Sequence, residues 1–190
     1  MSASDTLAAV EAAAKIWTAS CSSLSIRVRS VSGPGPLARD QRRFVSFRRS
    51  AWCPNGDRDR KPCYSEDALA MTSTYAEASK LPDNAFESDI EVNAVLPNWS
   101  AFGGGGKRSL VRLLAHEIGH VLGFVHSCND GTHPSGQLPA CSALSAKERE
   151  AVMYPGASDD LHNPEPFPRL SSQELAELCR RFPDNRGATP

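Results

Sequence analysis

The sequence predicts one domain of mixed α/β (α+β) class, with helices at both ends and short strands between them. Its 190 residues are enough for one hydrophobic core and too few for two comfortable ones. Segments with the helical repeat of about 3.6 residues are separated by segments in which every second residue is apolar. We therefore expect a single domain over residues 1–190, in the order helix, strands, helix, irregular segment, helix.

The first predicted element is an amphipathic helix over residues 4–20. This segment is rich in alanine, and Leu7, Val10, Ala14 and Trp17 recur at helical spacing, so they share one face. We expect that face to pack on the core. Charged residues interrupt the apolar stretch that a signal peptide would need, so the segment is assigned to the folded domain.

Four segments are candidates for strands. At 24–31, 44–47 and 89–96 apolar residues alternate with polar ones, which indicates strands with one buried and one wet face. Residues 68–75 form a strand candidate that is also compatible with a helix, because alanine and methionine favour helices. The arginines around 44–47 are interpreted as part of a solvated strand face.

Two further helices are predicted in the second half of the chain. The glycine run at 103–106 lets the chain turn into a helix over residues 109–122. The last helix, 171–182, begins with the pattern Ser171-x-x-Glu174, in which each side chain binds the backbone N–H group of the other residue.

The overall charge and hydropathy exclude two classes of partner. The 21 Lys and Arg residues are balanced by 22 Asp and Glu residues, which gives a net charge of -1. This balance does not attract nucleic acid or an anionic membrane surface. No apolar run approaches the roughly 18 residues that a membrane-spanning helix needs. We expect no nucleic-acid partner and no membrane partner.

The cysteines favour disulfides and therefore a secreted protein over buried free thiols. They are Cys21, Cys53, Cys63, Cys128, Cys141 and Cys179. Spacing does not determine their connectivity, since six cysteines allow fifteen pairings. The pairs 53/63 and 128/141 lie in short loop segments, so we expect these two bonds together with a bond between residues 21 and 179.

The stretch HEIGHVLGFVH, residues 116–126, carries the strongest chemical signal. Because residues four apart lie on one side of a helix, His116 and His120 point into the same volume. Gly123 stands where the helix should end, since glycine readily adopts the left-handed conformation of helix ends. The turn would bring His126 back to the other two. Three neutral imidazoles with an open fourth position are typical of a catalytic zinc site.

Glu117 is the candidate general base of this site. It lies one step round the helix from His116 and about 60° from His120, close to the ion without being forced to bind it. Zinc lowers the pKa of a water molecule toward about 7. Glu117 would take the proton of that water and later pass it to the leaving amine. The expected reaction is hydrolysis of a peptide bond with one catalytic Zn²⁺ ion.

This pattern resembles a known family. HExxHxxGxxH is the signature of the metzincin metalloproteases, whose second hallmark is a methionine turn beneath the metal. The segment AVMYP, with Met153, is similar to that turn. Ser127 after the third histidine, Tyr154 and Pro155 after the methionine, and the final LSSQELAEL helix are most similar to the matrixin branch. The resemblance covers nearly the whole chain.

The resemblance implies a metzincin fold, with a twisted mixed sheet above a cleft that holds zinc between an upper subdomain of about 1–123 and a lower one of about 124–190. The edge strand at 68–74 would bind an extended polypeptide substrate through backbone hydrogen bonds. Met153 would form an apolar floor under the histidines, and residues 156–169 would wall the pocket for the side chain after the cleaved bond. We expect a monomeric, secreted zinc endopeptidase.

The chain departs from the matrixin pattern at several points. Pro155 stands where astacins and serralysins carry a metal-reaching tyrosine, so Tyr154 is not expected to bind the metal. Residues 64–96 lack the histidine cluster that holds a second zinc ion in many matrixins. Gln173 and Glu174 replace the paired aspartates that usually brace the methionine turn. The strand that precedes the opening helix in the family, the signal and any propeptide are absent from this sequence.

The segment 127–152 is longer than the matrixin norm and is a candidate specificity element. Its pattern Ser145-x-x-Glu148 predicts a short helix.

Calcium is a further candidate cofactor at 55–59 or 158–160, where oxygen ligands cluster, although plain turns are favoured at both places.

Two other functions stay open. In a gluzincin-type peptidase, Glu148 or Glu150 would be the third metal ligand, which leaves His126 without a role. In a non-catalytic binding module, the metal would only hold the fold, which leaves the Glu117 carboxylate without a role.

Overall fold

The computed structural model describes residues 1–19, 22–33, 35–59, 62–75, 87–103, 107–131, 138–155 and 168–184. Within these ranges the helices are α1 (Ala3–Ile16), α2 (Leu110–Val121) and α3 (Ser172–Arg181). The strands are β1 (Val45–Arg48), β2 (Ala70–Tyr75), β3 (Glu87–Asn93), β4 (Trp99–Ser100) and β5 (Arg108–Ser109). Short 3-10 turns occur at Pro54–Gly56, Cys141–Ala143 and Glu148–Glu150. The predicted mixed α+β class is confirmed.

β3 is the central strand of a three-stranded mixed sheet in the order β1-β3-β2. β1 runs parallel to β3, with Val45 opposite Ile90, and β2 runs antiparallel, with Thr72 opposite Ile90. β4 and β5 form a separate parallel pair just before α2. The prediction of a strand at 68–75 is therefore confirmed, and β2 lies at an edge of the described sheet.

α1 and α2 contribute side chains to one core that also includes one face of the sheet. Ala9 and Ala13 of α1 are completely buried, and such small side chains let two helices approach closely. The indole N–H of Trp17 donates to the Ala115 carbonyl of α2 at 2.7 Å. Val92 of β3 completes this layer. The first helix therefore packs directly on the helix that carries the histidines.

α1 ends at Ile16, so the predicted end at residue 20 was wrong. The Thr18 hydroxyl donates to the Lys15 carbonyl at 2.7 Å. A continuing helix would use that carbonyl as the acceptor for the N–H group four residues later. A threonine side chain that occupies a backbone acceptor in this way competes with further helix formation.

Residues 24–31 do not form a strand, and this prediction was also wrong. Leu24, Ile26 and Val28 pack against the core, while the residues between them are exposed. The alternation therefore indicated correctly which side chains are buried. A strand also needs backbone hydrogen bonds to a neighbour, and the pattern of side chains does not report whether that neighbour exists.

β3 ends at Asn93 rather than at residue 96. The face of β3 that carries its polar side chains is not exposed to solvent. Asp89, Glu91 and Asn93 on this face are at most 2% exposed, so the prediction of a solvent-exposed face was wrong. The Asp89 carboxylate accepts hydrogen bonds from the backbone of Ala38 and Phe44. The segment that precedes β1 therefore covers part of the polar side of the sheet.

A buried ion pair lies at the centre of this polar layer. Arg48 and Glu91 bind each other, and Glu91 also accepts hydrogen bonds from the Asn55 backbone at 2.9 Å and the Tyr64 hydroxyl at 2.5 Å. Arg48 donates in addition to the Gly35 carbonyl at 2.9 Å. The interpretation of Arg48 as a solvated residue was wrong. Alternation identifies two faces of a strand, but it does not indicate that a loop rich in donors covers the second one.

The remaining helix predictions are mostly confirmed. α2 and α3 lie where they were expected, and α3 begins with the expected reciprocal bonds between Ser171 and Glu174. The short helix expected from Ser145 is only a 3-10 turn, although the Ser145 hydroxyl does donate to the Glu148 carboxylate at 2.6 Å.

Two of the three expected disulfides are confirmed, namely Cys53–Cys63 and Cys128–Cys141. Cys179 is also disulfide-bonded, and its expected partner Cys21 lies outside the described residues. No cysteine in the described ranges is free, so the free-thiol alternative was wrong there. None of the helices described is long and apolar enough to cross a membrane.

Two other predictions depend on segments that are partly or wholly outside the described ranges. The calcium candidate at 158–160 and most of the pocket wall at 156–169 lie outside them. At 55–59 the chain forms turns, and the Asn55 side chain uses its oxygen to accept from the Leu37 backbone at 2.6 Å. The division into subdomains near residue 123 stays a prediction.

Replacement of Arg48 by methionine should destabilise the fold strongly. Methionine keeps most of the length but leaves the Glu91 carboxylate buried without its cation. Removing one partner of a buried pair costs about 3–5 kcal/mol, and urea unfolding measures this loss. Arg49→Met is the matched control, because Arg49 is exposed. Equal stability of the two variants would contradict a structural role for the ion pair.

Candidate metal centre

α2 has one face in the core and one face at the histidine cluster. Its first residue follows Ser109, whose hydroxyl accepts a hydrogen bond from the Arg112 backbone and caps the helix. Leu110 and Leu114 are fully buried, and Ile118 is nearly so. Because these apolar residues recur every three to four positions, they hold the helix on the core while the histidines face the other way.

The helix ends where Gly123 was expected to end it. Gly123 has a φ angle of 81°, in the left-handed region that favours glycine. The Phe124 backbone N–H then donates to the Gly119 carbonyl at 2.9 Å, which closes the last turn. Arg181 of α3 donates to the Gly123 carbonyl at 2.9 Å. This turn brings the chain back toward the helix two residues before His126.

His116, His120 and His126 form the cluster that the motif predicted. Each offers one ligand nitrogen, and these nitrogens all lie within 4.8 Å of one another. The ring centroids are 4.8 Å, 5.0 Å and 5.2 Å apart. Within the described ranges this is the group of His, Cys, Asp and Glu side chains that can hold a metal ion. Three imidazoles converge here on one small volume.

Hydrogen bonds determine which nitrogen of each ring is available. His116 Nδ1 lies 2.8 Å from the Val152 carbonyl, and His120 Nδ1 lies 2.9 Å from the Phe124 carbonyl. A carbonyl only accepts, so both Nδ1 atoms carry the proton and both Nε2 atoms keep a lone pair. This is the tautomer that a metal ion needs when it binds Nε2.

The third histidine has a carboxylate near its Nδ1 atom, where the other two rings have backbone carbonyls. His126 Nδ1 lies 3.4 Å from the Asp130 carboxylate. A carboxylate behind a histidine orients the ring and makes its other nitrogen a better ligand. Asp130 was missed in the sequence, although its spacing of four residues from His126 was a signal that it could lie near the ring.

Burial keeps His116 neutral. Desolvation, with a smaller effect from the nearby His120, lowers the pKa of His116 to about 4. A neutral imidazole at pH 7 has a lone pair free for a metal ion, whereas a protonated one does not. The ring that lies deepest in the protein is therefore ready to bind a cation near neutral pH.

Met153 packs against Gly119 of α2, the helix that carries two of the histidines. Met153 is fully buried, and a Cβ atom added to Gly119 would lie 2.2 Å from its sulfur and 2.6 Å from the Trp17 ring. Glycine is therefore required at this position of α2 for the methionine to pack against the helix. The resemblance implied Met153, but the requirement for Gly119 was missed.

Glu174, which stands where the family usually carries an aspartate, braces the turn that contains Met153. Its carboxylate accepts hydrogen bonds from the Met153 backbone N–H and the Ser171 backbone N–H, both at 2.7 Å. The Met153 carbonyl in turn accepts from the Ser127 backbone at 2.9 Å. One carboxylate thus joins the start of α3 to the turn that also provides the Val152 acceptor for His116.

Glu117 lies beside the histidines with its carboxylate in the interior. The side chain is 7% exposed, and its Oε2 atom accepts a hydrogen bond from the Thr72 hydroxyl at 2.5 Å. Burial raises the pKa of the Glu117 carboxyl, while His120 and the Thr72 hydrogen bond act in the opposite direction. Thr72 was missed, because its contact depends on how β2 packs on α2.

The glutamates of the gluzincin alternative do not join the cluster. Glu148 and Glu150 lie in an exposed 3-10 turn, and the Glu148 carboxylate binds the backbone and hydroxyl of Ser145. The candidate third ligand in the described residues is His126.

No protein-family model matches the chain, and no curated protein matches it.

Removal of the Asp130 carboxylate should weaken metal binding. Asp130→Ala removes the carboxylate that lies 3.4 Å from His126 Nδ1, and loss of a carboxylate behind a metal-binding histidine lowers metal affinity by about 10–100-fold. Competition with a chromogenic chelator, with Co²⁺ as the probe ion, measures the dissociation constant. Asp67→Ala removes an exposed carboxylate elsewhere and should bind Co²⁺ like the wild type. Wild-type affinity in Asp130→Ala would rule out an orienting role for this residue.

Proposed function

We propose that this protein is a zinc-dependent endopeptidase of the metzincin type. The observation that carries the proposal is the cluster of three histidines, whose ligand nitrogens lie within 4.8 Å of one another, with a buried glutamate beside them. Three neutral imidazoles suit zinc, which prefers nitrogen and sulfur ligands in tetrahedral geometry. Within the described residues no fourth His, Cys, Asp or Glu completes the group, and an open fourth position is typical of catalytic zinc.

His116, His120 and His126 would hold one zinc ion. When bound, zinc supplies Lewis acidity that makes a water molecule more acidic and polarises the carbonyl of a peptide bond. Glu117 then accepts the proton of the attacking water, so one O–H bond breaks and a carboxyl O–H bond forms. The water oxygen bonds to the carbonyl carbon, and Glu117 donates this proton to the amine nitrogen as the C–N bond breaks, so the products would be a carboxylic acid and an amine.

The position of β2 supports an extended polypeptide as the substrate. In the described sheet β2 pairs with β3 on one side, so its other edge has backbone groups available to a further strand. Thr72 of β2 contacts Glu117, which means that this edge strand passes next to the general base. A peptide that pairs with β2 would have its backbone close to the histidines.

The disulfides favour a site of action outside the reducing cytosol, since such bonds persist in oxidising compartments. We therefore propose a secreted enzyme that acts as a monomer with one zinc ion.

A change at His126 separates this proposal from the gluzincin alternative. His126→Ala removes a ligand and should lower zinc affinity by more than about a hundredfold, because even residues behind the ligands are worth 10–100-fold. Glu148→Ala should bind zinc like the wild type. Loss of zinc from Glu148→Ala with zinc retained in His126→Ala would favour the gluzincin arrangement.

A change at Glu117 separates the enzyme from a non-catalytic module. Glu117→Ala should keep its zinc, as measured by atomic absorption, and should lose about 10²–10⁴-fold in the rate of casein cleavage, the range that general base catalysis supplies. Glu66→Ala, which removes an exposed carboxylate, should cleave casein normally. A zinc-loaded wild type that cleaves neither casein nor gelatin would favour the module.

A further inference from the structure

Thr72 lies in the middle of β2 and joins the sheet to the centre of the candidate site. Its backbone is opposite Ile90 in the β2–β3 ladder. The neighbouring Met71 side chain is exposed and, because side chains alternate along a strand, it points to the other side of the sheet. The Thr72 hydroxyl therefore points toward α2, where it lies 2.5 Å from Glu117 Oε2.

The carboxylate that Thr72 contacts has few other restraints. Within the described ranges no other donor forms a hydrogen bond with the Glu117 side chain. The terminal torsion of a carboxylate is broad, so this hydrogen bond restrains a rotation of the buried Glu117 carboxylate that no other hydrogen bond in the described residues restrains. The Thr72 hydroxyl occupies Oε2 and leaves Oε1 for another partner.

We propose that Thr72 is a positioning residue for the peptidase reaction proposed above, because its hydroxyl holds Oε2 of Glu117 and keeps Oε1 directed at the attacking water. This inference rests on the proposed function. Threonine suits the task, since its branched side chain is stiff at χ1 and the β2–β3 ladder holds its backbone. The donor that fixes the general base therefore comes from the same strand that presents its edge to the substrate.

The hydroxyl takes no part in the proton balance. The water O–H bond breaks as the Oε1–H bond forms, and the Oε1–H bond later breaks as the amine gains its N–H bond. Thr72 keeps its own hydrogen throughout and donates it to Oε2. Its effect is on the orientation of the base, and misplacement of a reacting group by about 1 Å can cost about a hundredfold in rate.

The test compares Thr72→Val with Thr72→Ser. Valine has the shape of threonine without the hydroxyl, whereas serine keeps the hydroxyl. With a fluorogenic peptide derived from a casein cleavage site, we expect kcat of Thr72→Val to fall by about 10–100-fold. KM and the zinc content of one ion per chain should stay unchanged, and Thr72→Ser should keep most of the wild-type kcat.

Thr18→Val is the matched control, since it removes an exposed hydroxyl whose bond is local to the end of α1. If Thr72→Val melts early or loses zinc, Thr72→Ala replaces it, because alanine also lacks the hydroxyl and adds no bulk. A wild-type kcat in Thr72→Val, or in Thr72→Ala where that variant replaces it, would overturn the role of Thr72 and leave the peptidase proposal intact. An equal loss of kcat in Thr72→Ser would also overturn it. A zinc-loaded wild type without any cleavage would overturn both.

Discussion

The orientation of three imidazole rings is the constraint on which the candidate site depends. An imidazole has two nitrogens, and it binds a metal through one only when the other has a suitable partner. Here backbone carbonyls hold the Nδ1 atoms of His116 and His120, and a carboxylate lies behind that of His126. Two of these acceptors lie four residues from their histidine, whereas the Val152 carbonyl comes from a segment 36 residues away from His116. The orientation of His116 therefore depends on the tertiary structure that brings this segment to α2.

Much of the surrounding structure positions these acceptors. The Val152 carbonyl belongs to a turn whose next residue is held by Glu174 of α3. The Phe124 carbonyl belongs to a residue whose ring contacts the Trp17 ring, with centroids 4.7 Å apart, and the Arg181 guanidinium, 4.9 Å from the ring centroid. α1 and α3 therefore act on the site without contributing a metal ligand. The Cys128–Cys141 disulfide begins two residues after His126 and links this part of the chain to residue 141.

The part of the site that the sequence predicts is the part that depends on local geometry. His116 and His120 are one helical turn apart, and Gly123 ends the helix, so this half of the cluster needs no information about distant residues. Glu174 was visible as a helix cap, but its second bond, to the Met153 backbone, joins two segments that are far apart in sequence. Thr72 could not be predicted, since its contact with Glu117 requires the position of β2 relative to α2.

The same distinction applies to the fold. Periodicity located α1, β1 and β3, apart from the exact ends of these elements, because it reports local conformation and which side chains are buried. It failed at residues 24–31, where burial alternates without a strand, and on the polar face of β3, which a loop covers. The Arg48–Glu91 pair shows the physical reason: alternating charged residues are normally at the surface, and only a distant segment with matching donors allows them to be buried.

The most direct test of the metal centre is anomalous diffraction at the zinc edge from crystals grown with zinc. We expect one strong peak at about 2.0–2.1 Å from the Nε2 atoms of His116, His120 and His126, with no protein atom at the fourth position. An absence of zinc between the three rings, or a zinc ion with four protein ligands, would contradict a catalytic metal site in this protein.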